Sequence, residues 1–254
     1  MDNHQQNPES INTASHSRNN NVRIILGSTS TLAGQSYLAY LKDTLTLHFA
    51  GISKLLFVPY ARPGGISHAT YTESAARFFA TLNIEVENLG ATSDPLQAVS
   101  RAEAIFTGGG NTFLLVKTLH ELGLMTAIRE RVLQGVPYLG TSAGANIGGL
   151  TMGTTNDMPI VYPPSFNTMG LVPFNINPHF ISGRLSADHM GETRETRIQE
   201  FLTQNKMPVV GLPEGSWIQV NGAIITLEGT KAATIFKKDG QPYELTPGSR
   251  LLLQ

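Results

Sequence analysis

The sequence predicts an α/β fold in three layers, with a mainly parallel sheet between two layers of helix. Three observations carry this. From Val22 onward, short apolar runs alternate with stretches of helical spacing. The runs are near-continuously apolar, as strands covered on both faces have to be. Two of them end in glycine-rich segments, TGGGN (107–111) and GTSAG (140–144), and ligands in open parallel sheets bind at such strand ends.

Taken in order, VRIIL (22–26) is a β-branched run bounded by Gly27 and predicts the first strand. Tyr37, Leu38, Leu41 and Leu45 recur at helical spacing and predict a helix over 35–50. KLLFVPY (54–60) predicts a second strand and 68–82 a second helix. IEVENL (84–89) follows as a strand, then a short helix at 95–101 and the strand AEAIFT (102–107). Two helices are predicted near 112–121 and 123–134, before the strand VPYLG (136–140). Residues 151–180 are rich in Pro, Asn and Gly and read as loops with short strands. A helix is predicted at about 190–204. Short antiparallel strands are predicted after it: VVGL, WIQV, AIITL, ATIFK and the closing RLLLQ. No repeat or linker divides the chain, so residues 22–254 read as one domain. Residues 1–21 have almost nothing to bury and read as a disordered tail.

Composition narrows the function. The net charge is −1 with no lysine or arginine cluster, so neither nucleic acid nor an anionic membrane is an expected partner. No apolar stretch reaches membrane-spanning length, and the N-terminus lacks the apolar centre of a secretory signal. The absence of cysteine excludes disulfides, thiolate metal sites and cysteine nucleophiles. The seven histidines show neither HxH nor HExxH spacing, so no metal is expected. TGGGN lacks the GxGxxG and GK[ST] patterns, so no nucleotide is expected there.

Gly140-Thr141-Ser142-Ala143-Gly144 matches G-x-S-x-G between a predicted strand and helix. Ser142 is then a nucleophile on a sharp corner, with the Ala143 and Gly110 amides as oxyanion donors. The other reading is a glycine-rich turn with a capping serine. Hydrolysis by a serine nucleophile needs no cofactor, but it needs a base. His179, in the loop NINPHF, ranks ahead of His68 and His189. Asp157 in TTNDMP and Glu214 in GLPEG are both candidates to orient it. Arg194 shares the predicted buried helix stripe with Ile198, Phe201 and Leu202, and a buried guanidinium needs an anionic partner. That partner is a substrate carboxylate or a structural one such as Glu192 or Glu195. Arg197, at the stripe's edge, reads as structural.

The stretches GGGNTF (108–113), GTSAGAN (140–146), TTNDMPIV (154–161), INPHF (176–180), GETRETRI (191–198) and GLPEGSWIQV (211–220) together resemble the peptidase E family of aspartyl dipeptidases, a serine-peptidase group that also includes cyanophycinase. They stand in the family's order, and the resemblance runs from about Val22 to the C-terminus. It implies a fold similar to class I glutamine amidotransferase domains, with serine in place of their cysteine. It implies cytoplasmic hydrolysis of dipeptides with N-terminal aspartate, with Ser142 as nucleophile, His179 as base and Arg194 reading the aspartyl side chain. Asp157 and Glu214 both fall in blocks proposed for the third triad member, and both are kept here. A homodimer is implied by resemblance alone. Thr141 stands where relatives are expected to carry a bulky aromatic, which points to a wider pocket or an altered contact. The alternatives are a cyanophycinase-like β-aspartyl hydrolase, an α/β-hydrolase esterase and a non-catalytic binding module. The esterase fits poorly, because its acid and histidine come late in the chain and its GGG loop follows a histidine.

Overall fold

A computed structural model of the chain describes residues 21–183 and 191–253. The expected tail lies outside them apart from Asn21, and so do His189 and the first position of the helix predicted at 190–204.

Five strands run parallel: β1 (Arg23–Gly27), β2 (Lys54–Val58), β3 (Glu85–Asn88), β4 (Ile105–Thr107) and β5 (Tyr138–Thr141). They alternate with α1 (Lys42–His48), α2 (His68–Ala80), α3 (Pro95–Arg101), and the consecutive helices α4 (Thr112–Glu121) and α5 (Leu124–Leu133). A single turn, α6 (Ala143–Asn146), follows β5. Side-chain caps start several helices: Ser67 accepts from Thr70 N, Asp94 from Gln97 N, and Asn111 from Leu114 N. The helix expected over 35–50 is shorter than predicted. Leu38 takes a left-handed φ of 57°, and only a 3-10 turn at Ala39–Leu41 leads into α1.

After α6 come β6 (Asn175–Pro178), α7 (Arg194–Gln204), β7 (Val209–Leu212), β8 (Ser216–Asn221), β9 (Ile224–Gly229), β10 (Ala233–Phe236) and β11 (Tyr243–Leu245). The main sheet has the order β3-β2-β4-β5-β1-β8-β9, with β8 and β9 antiparallel at its edge. A second sheet has the order β11-β10-β7-β6. The expectation of antiparallel C-terminal strands is corrected for VVGL: β7 is antiparallel to β10 but parallel to β6. It is corrected also for RLLLQ, whose described residues make only an isolated bridge, Arg250 to Thr226, and bury Leu251 and Leu253 beside β9. β11, three largely exposed residues, gave no apolar signal.

The strands' continuous apolar character follows from their two buried faces. Ile24, Leu26, Leu56 and Val58 pack with the apolar residues of α3 to α6 and of the second sheet. Ile25, Leu55 and Phe57 point the other way, against Leu45 of α1 and Tyr71, Ala75 and Phe79 of α2. The second sheet is covered on its far side by Ile198 and Leu202 of α7, which meet Val209 and Phe236. No helix among the described residues is long and apolar enough to cross a membrane.

Pairing register positions the site. Thr107 pairs with Gly140 and Gly27 with Thr141, so β4, β5 and β1 end side by side. In the second sheet Pro178 pairs with Leu212, so the loops leaving β6 and β7 also start together.

Candidate active site

Ser142 follows β5 with φ 55° and ψ −114°, a conformation that costs a non-glycine residue energy and persists only where neighbours impose it. The neighbours are close. Ser142 N donates to Gly27 O at 3.0 Å. A Cβ on Gly140 would lie 2.2 Å from Gly144 O, and one on Gly144 would lie 2.1 Å from Thr107 O. The two glycines of G-x-S-x-G are therefore required by backbone packing.

His179 also has a positive φ, 54°, in the turn after β6. Its amide donates to Ser28 Oγ at 2.8 Å, and the Ser28 hydroxyl donates to Leu212 O at 2.8 Å. Ser28 follows β1 directly, so three strand ends hold one histidine. The imidazole bridges two groups: Nε2 is 2.8 Å from Ser142 Oγ and Nδ1 is 2.6 Å from Glu214 Oε1. An ionised carboxylate only accepts, so Nδ1 carries the proton and Nε2 is left to accept from the serine hydroxyl.

Asp157 lies elsewhere in the same region. Its Oδ2 accepts from Thr112 N at 2.7 Å and Thr112 Oγ1 at 2.6 Å, at the N-terminus of α4. There its charge meets the positive end of the helix. Asn111 Nδ2 donates to Met158 O and Asn111 N to Ala61 O, so the 154–158 segment and the GGGN loop brace each other. Gly110 has φ +144°, and a Cβ there would lie 2.2 Å from Ala61 O. Among the described residues the Gly110 and Ala143 amides have no hydrogen-bond partner, and Ala143 opens α6.

A cavity of about 630 Å3 opens beside His179, lined among others by Asp157, Glu214, Arg194 and Lys231. Arg194, the first residue of α7, is half-buried, and its Nη1 donates to the carbonyls of His179 and Pro178. Burial lowers its pKa, opposed by the charge of Glu214 and reinforced by Arg197. Glu192, one of its two candidate structural partners, instead lies 4.0 Å from Arg197.

A family model described as peptidase family S51 matches residues 24–227. The chain belongs to peptidase family S51. It is 44% identical to Peptidase E of Streptomyces coelicolor over 230 residues, covering 91% of this chain and 93% of that protein. It is also 44% identical, over 227 residues, to a Drosophila melanogaster protein named "Probable alpha-aspartyl dipeptidase", covering 88% of this chain and 93% of that one. The crystal structure of a peptidase from an acI-B1 Actinobacterium superposes with a TM-score of 0.67 at 17% identity, covering 90% of this chain and 96% of that one, a likeness of fold.

In this S51 chain the predicted residues divide into two groups. Ser142, His179 and Glu214 form one hydrogen-bonded line. Asp157 and Arg194 share the cavity without touching the imidazole, Asp157 on Thr112 and Arg194 on backbone carbonyls. His68 heads α2, packs on Tyr60 and does not line the cavity. Thr141 is fully buried in β5 and does not line the cavity. Sequence reasoning missed Ser28. Its one visible sign is a polar Gly27-Ser28 end on an apolar strand. Among the described residues no three His, Asp or Glu side chains group as a metal site would need.

Proposed function

We propose that this S51 chain is a serine dipeptidase that releases N-terminal aspartate from Asp-Xaa dipeptides. The observation that carries the reading is the Ser142–His179–Glu214 line beside a cavity holding a half-buried arginine. His179 Nε2 takes the Ser142 hydroxyl proton as the oxygen attacks the aspartyl carbonyl carbon. Glu214 holds the imidazole in the Nδ1–H tautomer and stabilises the imidazolium that forms. The amides of Gly110 and Ala143 receive the oxyanion. The imidazolium then protonates the leaving amine as the C–N bond breaks, which leaves an acyl-enzyme. Water, deprotonated by His179, attacks that ester, the bond to Ser142 Oγ breaks, the imidazolium returns its proton to Oγ, and aspartate is freed. Asp157 orders the GGGN loop through Thr112 and takes no part in proton transfer.

Arg194 receives the aspartyl side-chain carboxylate. Burial acts against its charge, and an anionic ligand offsets that cost. The name of the Drosophila relative, "Probable alpha-aspartyl dipeptidase", agrees with this choice. By the same reading the enzyme acts in the cytoplasm on small diffusible dipeptides.

The test is hydrolysis of Asp-Leu against Glu-Leu, Asn-Leu and β-Asp-Arg, by wild type and Ser142→Ala. The reading expects cleavage of Asp-Leu alone and loss of activity in Ser142→Ala. Preference for β-Asp-Arg would replace the substrate and keep the nucleophile. Activity in Ser142→Ala would remove the serine mechanism.

A further inference from the structure

A dipeptidase has to measure the length of its substrate as well as read its first side chain. The cavity beside His179 carries the charges for both tasks. Its two carboxylates are engaged: Glu214 with His179 at 2.6 Å, and Asp157 with the Thr112 hydroxyl at 2.6 Å. Its two cations, Arg194 and Lys231, have no carboxylate within 4.0 Å among the described residues. Arg194 still donates to backbone carbonyls. The Lys231 ammonium has no hydrogen-bond partner among the described residues.

The backbone of Lys231 is tightly held. The fully buried Ser216 hydroxyl accepts from Lys231 N at 3.1 Å and donates to Lys231 O at 2.7 Å. Thr230 N donates to Gly215 O at 3.1 Å. Gly229 approaches so closely that a Cβ on it would lie 2.3 Å from Gly215 O. Residues 229–231 are thus locked to the turn that carries Glu214. Lys231 is exposed, and its anchored backbone sets the side chain on the wall of a cavity whose acids are already engaged, beside the turn that carries Glu214.

An Asp-Xaa dipeptide brings two carboxylates, one on its first side chain and one at its C-terminus. Resting on the dipeptidase reading above, we propose that Lys231 binds the C-terminal carboxylate and thereby restricts the enzyme to dipeptides. In a tripeptide a neutral amide occupies that position, and the terminal carboxylate lies roughly 3.5 Å further along an extended chain. The chain then reaches the ammonium with no charge to offer it.

The experiment compares kcat/KM on Asp-Leu and on Asp-Leu-amide, which lacks only the terminal charge, for wild type, Lys231→Met and Lys231→Arg. Wild type is expected to prefer the free acid by roughly 10- to 100-fold, the worth of a charge-assisted hydrogen bond. In Lys231→Met that ratio collapses towards one, mainly through a raised KM for Asp-Leu, and Lys231→Arg recovers most of it. Urea unfolding of each variant shows that the fold is retained. If Lys231→Met keeps the wild-type ratio, or slows both substrates equally, Lys231 does not hold the terminal carboxylate and the proposal falls alone. If wild type cleaves neither substrate, the dipeptidase reading falls and this proposal falls with it.

Discussion

Replacing Ser28 with alanine tests how the end of β1 holds the histidine. Ser28 is 0% exposed and its hydroxyl makes two bonds of 2.8 Å, one from His179 N and one to Leu212 O. Alanine removes both and leaves the His179 amide without an acceptor, whereas Leu212 O keeps the amide of Phe180 at 3.1 Å. An orphaned buried polar group costs about 1–3 kcal/mol. One group is orphaned, so the loss is about 1–3 kcal/mol. The histidine's left-handed backbone, φ 54°, depends on such tethers. A shift of the imidazole by an ångström costs on the order of 100-fold in rate. Urea unfolding should therefore show the stability loss. Hydrolysis of Asp-Leu, under conditions where the variant is folded, should show kcat down roughly 10- to 100-fold with KM little changed. Ser67→Ala is the control: it removes the cap of α2, should cost about 1 kcal/mol, and should leave kcat alone. A Ser28→Ala enzyme with full kcat and a stability loss below about 0.5 kcal/mol would refute the tether.

The two carboxylates separate by substitution. Glu214→Gln should lower kcat by roughly 1,000-fold or more, because a glutamine amide can favour the wrong imidazole tautomer. Asp157→Asn should lower it far less and cost about 1 kcal/mol at the start of α4, and the reverse order in activity assays would exchange their roles. Gly140→Ala would put a Cβ 2.2 Å from Gly144 O, so thermal unfolding should show a loss of about 3 kcal/mol or more. Gly64→Ala, where nothing lies within 4 Å, should be near neutral. Burial is the main reason that the pKa of His48 falls to about 3. The folded state then refuses a proton that the unfolded chain accepts below about pH 6.5. This contribution is constant above that pH and is lost as the pH falls towards 3, at up to about 1.4 kcal/mol per pH unit. His48→Gln should flatten the difference in urea stability between pH 7 and pH 5, and an unchanged difference would count against the buried neutral imidazole.

What the chain revealed on inspection was local. The runs VRIIL and KLLFV are apolar at every position because both sheet faces are covered, and that is visible without a partner. G-x-S-x-G was equally legible, because the steric need for its two glycines arises within a few residues and one neighbouring strand end. Helix ends were less so: Leu38 fits a helical stripe, yet its φ of 57° delays the helix.

Sequence by itself determined the layered α/β class, the serine corner and a short list of histidines, carboxylates and one arginine. The tertiary structure decided which of them meet. Glu214 follows Pro213 and Asp157 stands two residues before Pro159, both in loops, and nothing local ranks them. The contact of Glu214 with His179 comes from the parallel pairing of β6 with β7, which sets Pro178 opposite Leu212 and releases both residues from the same end of the second sheet. The Gly27–Thr141 pair brings Ser28 and Ser142 to that place from the main sheet. Strand register joins residues 151 positions apart, Ser28 and His179, through one hydroxyl. Such a contact is a property of the packed sheets, because neither partner has a local pattern that could announce it.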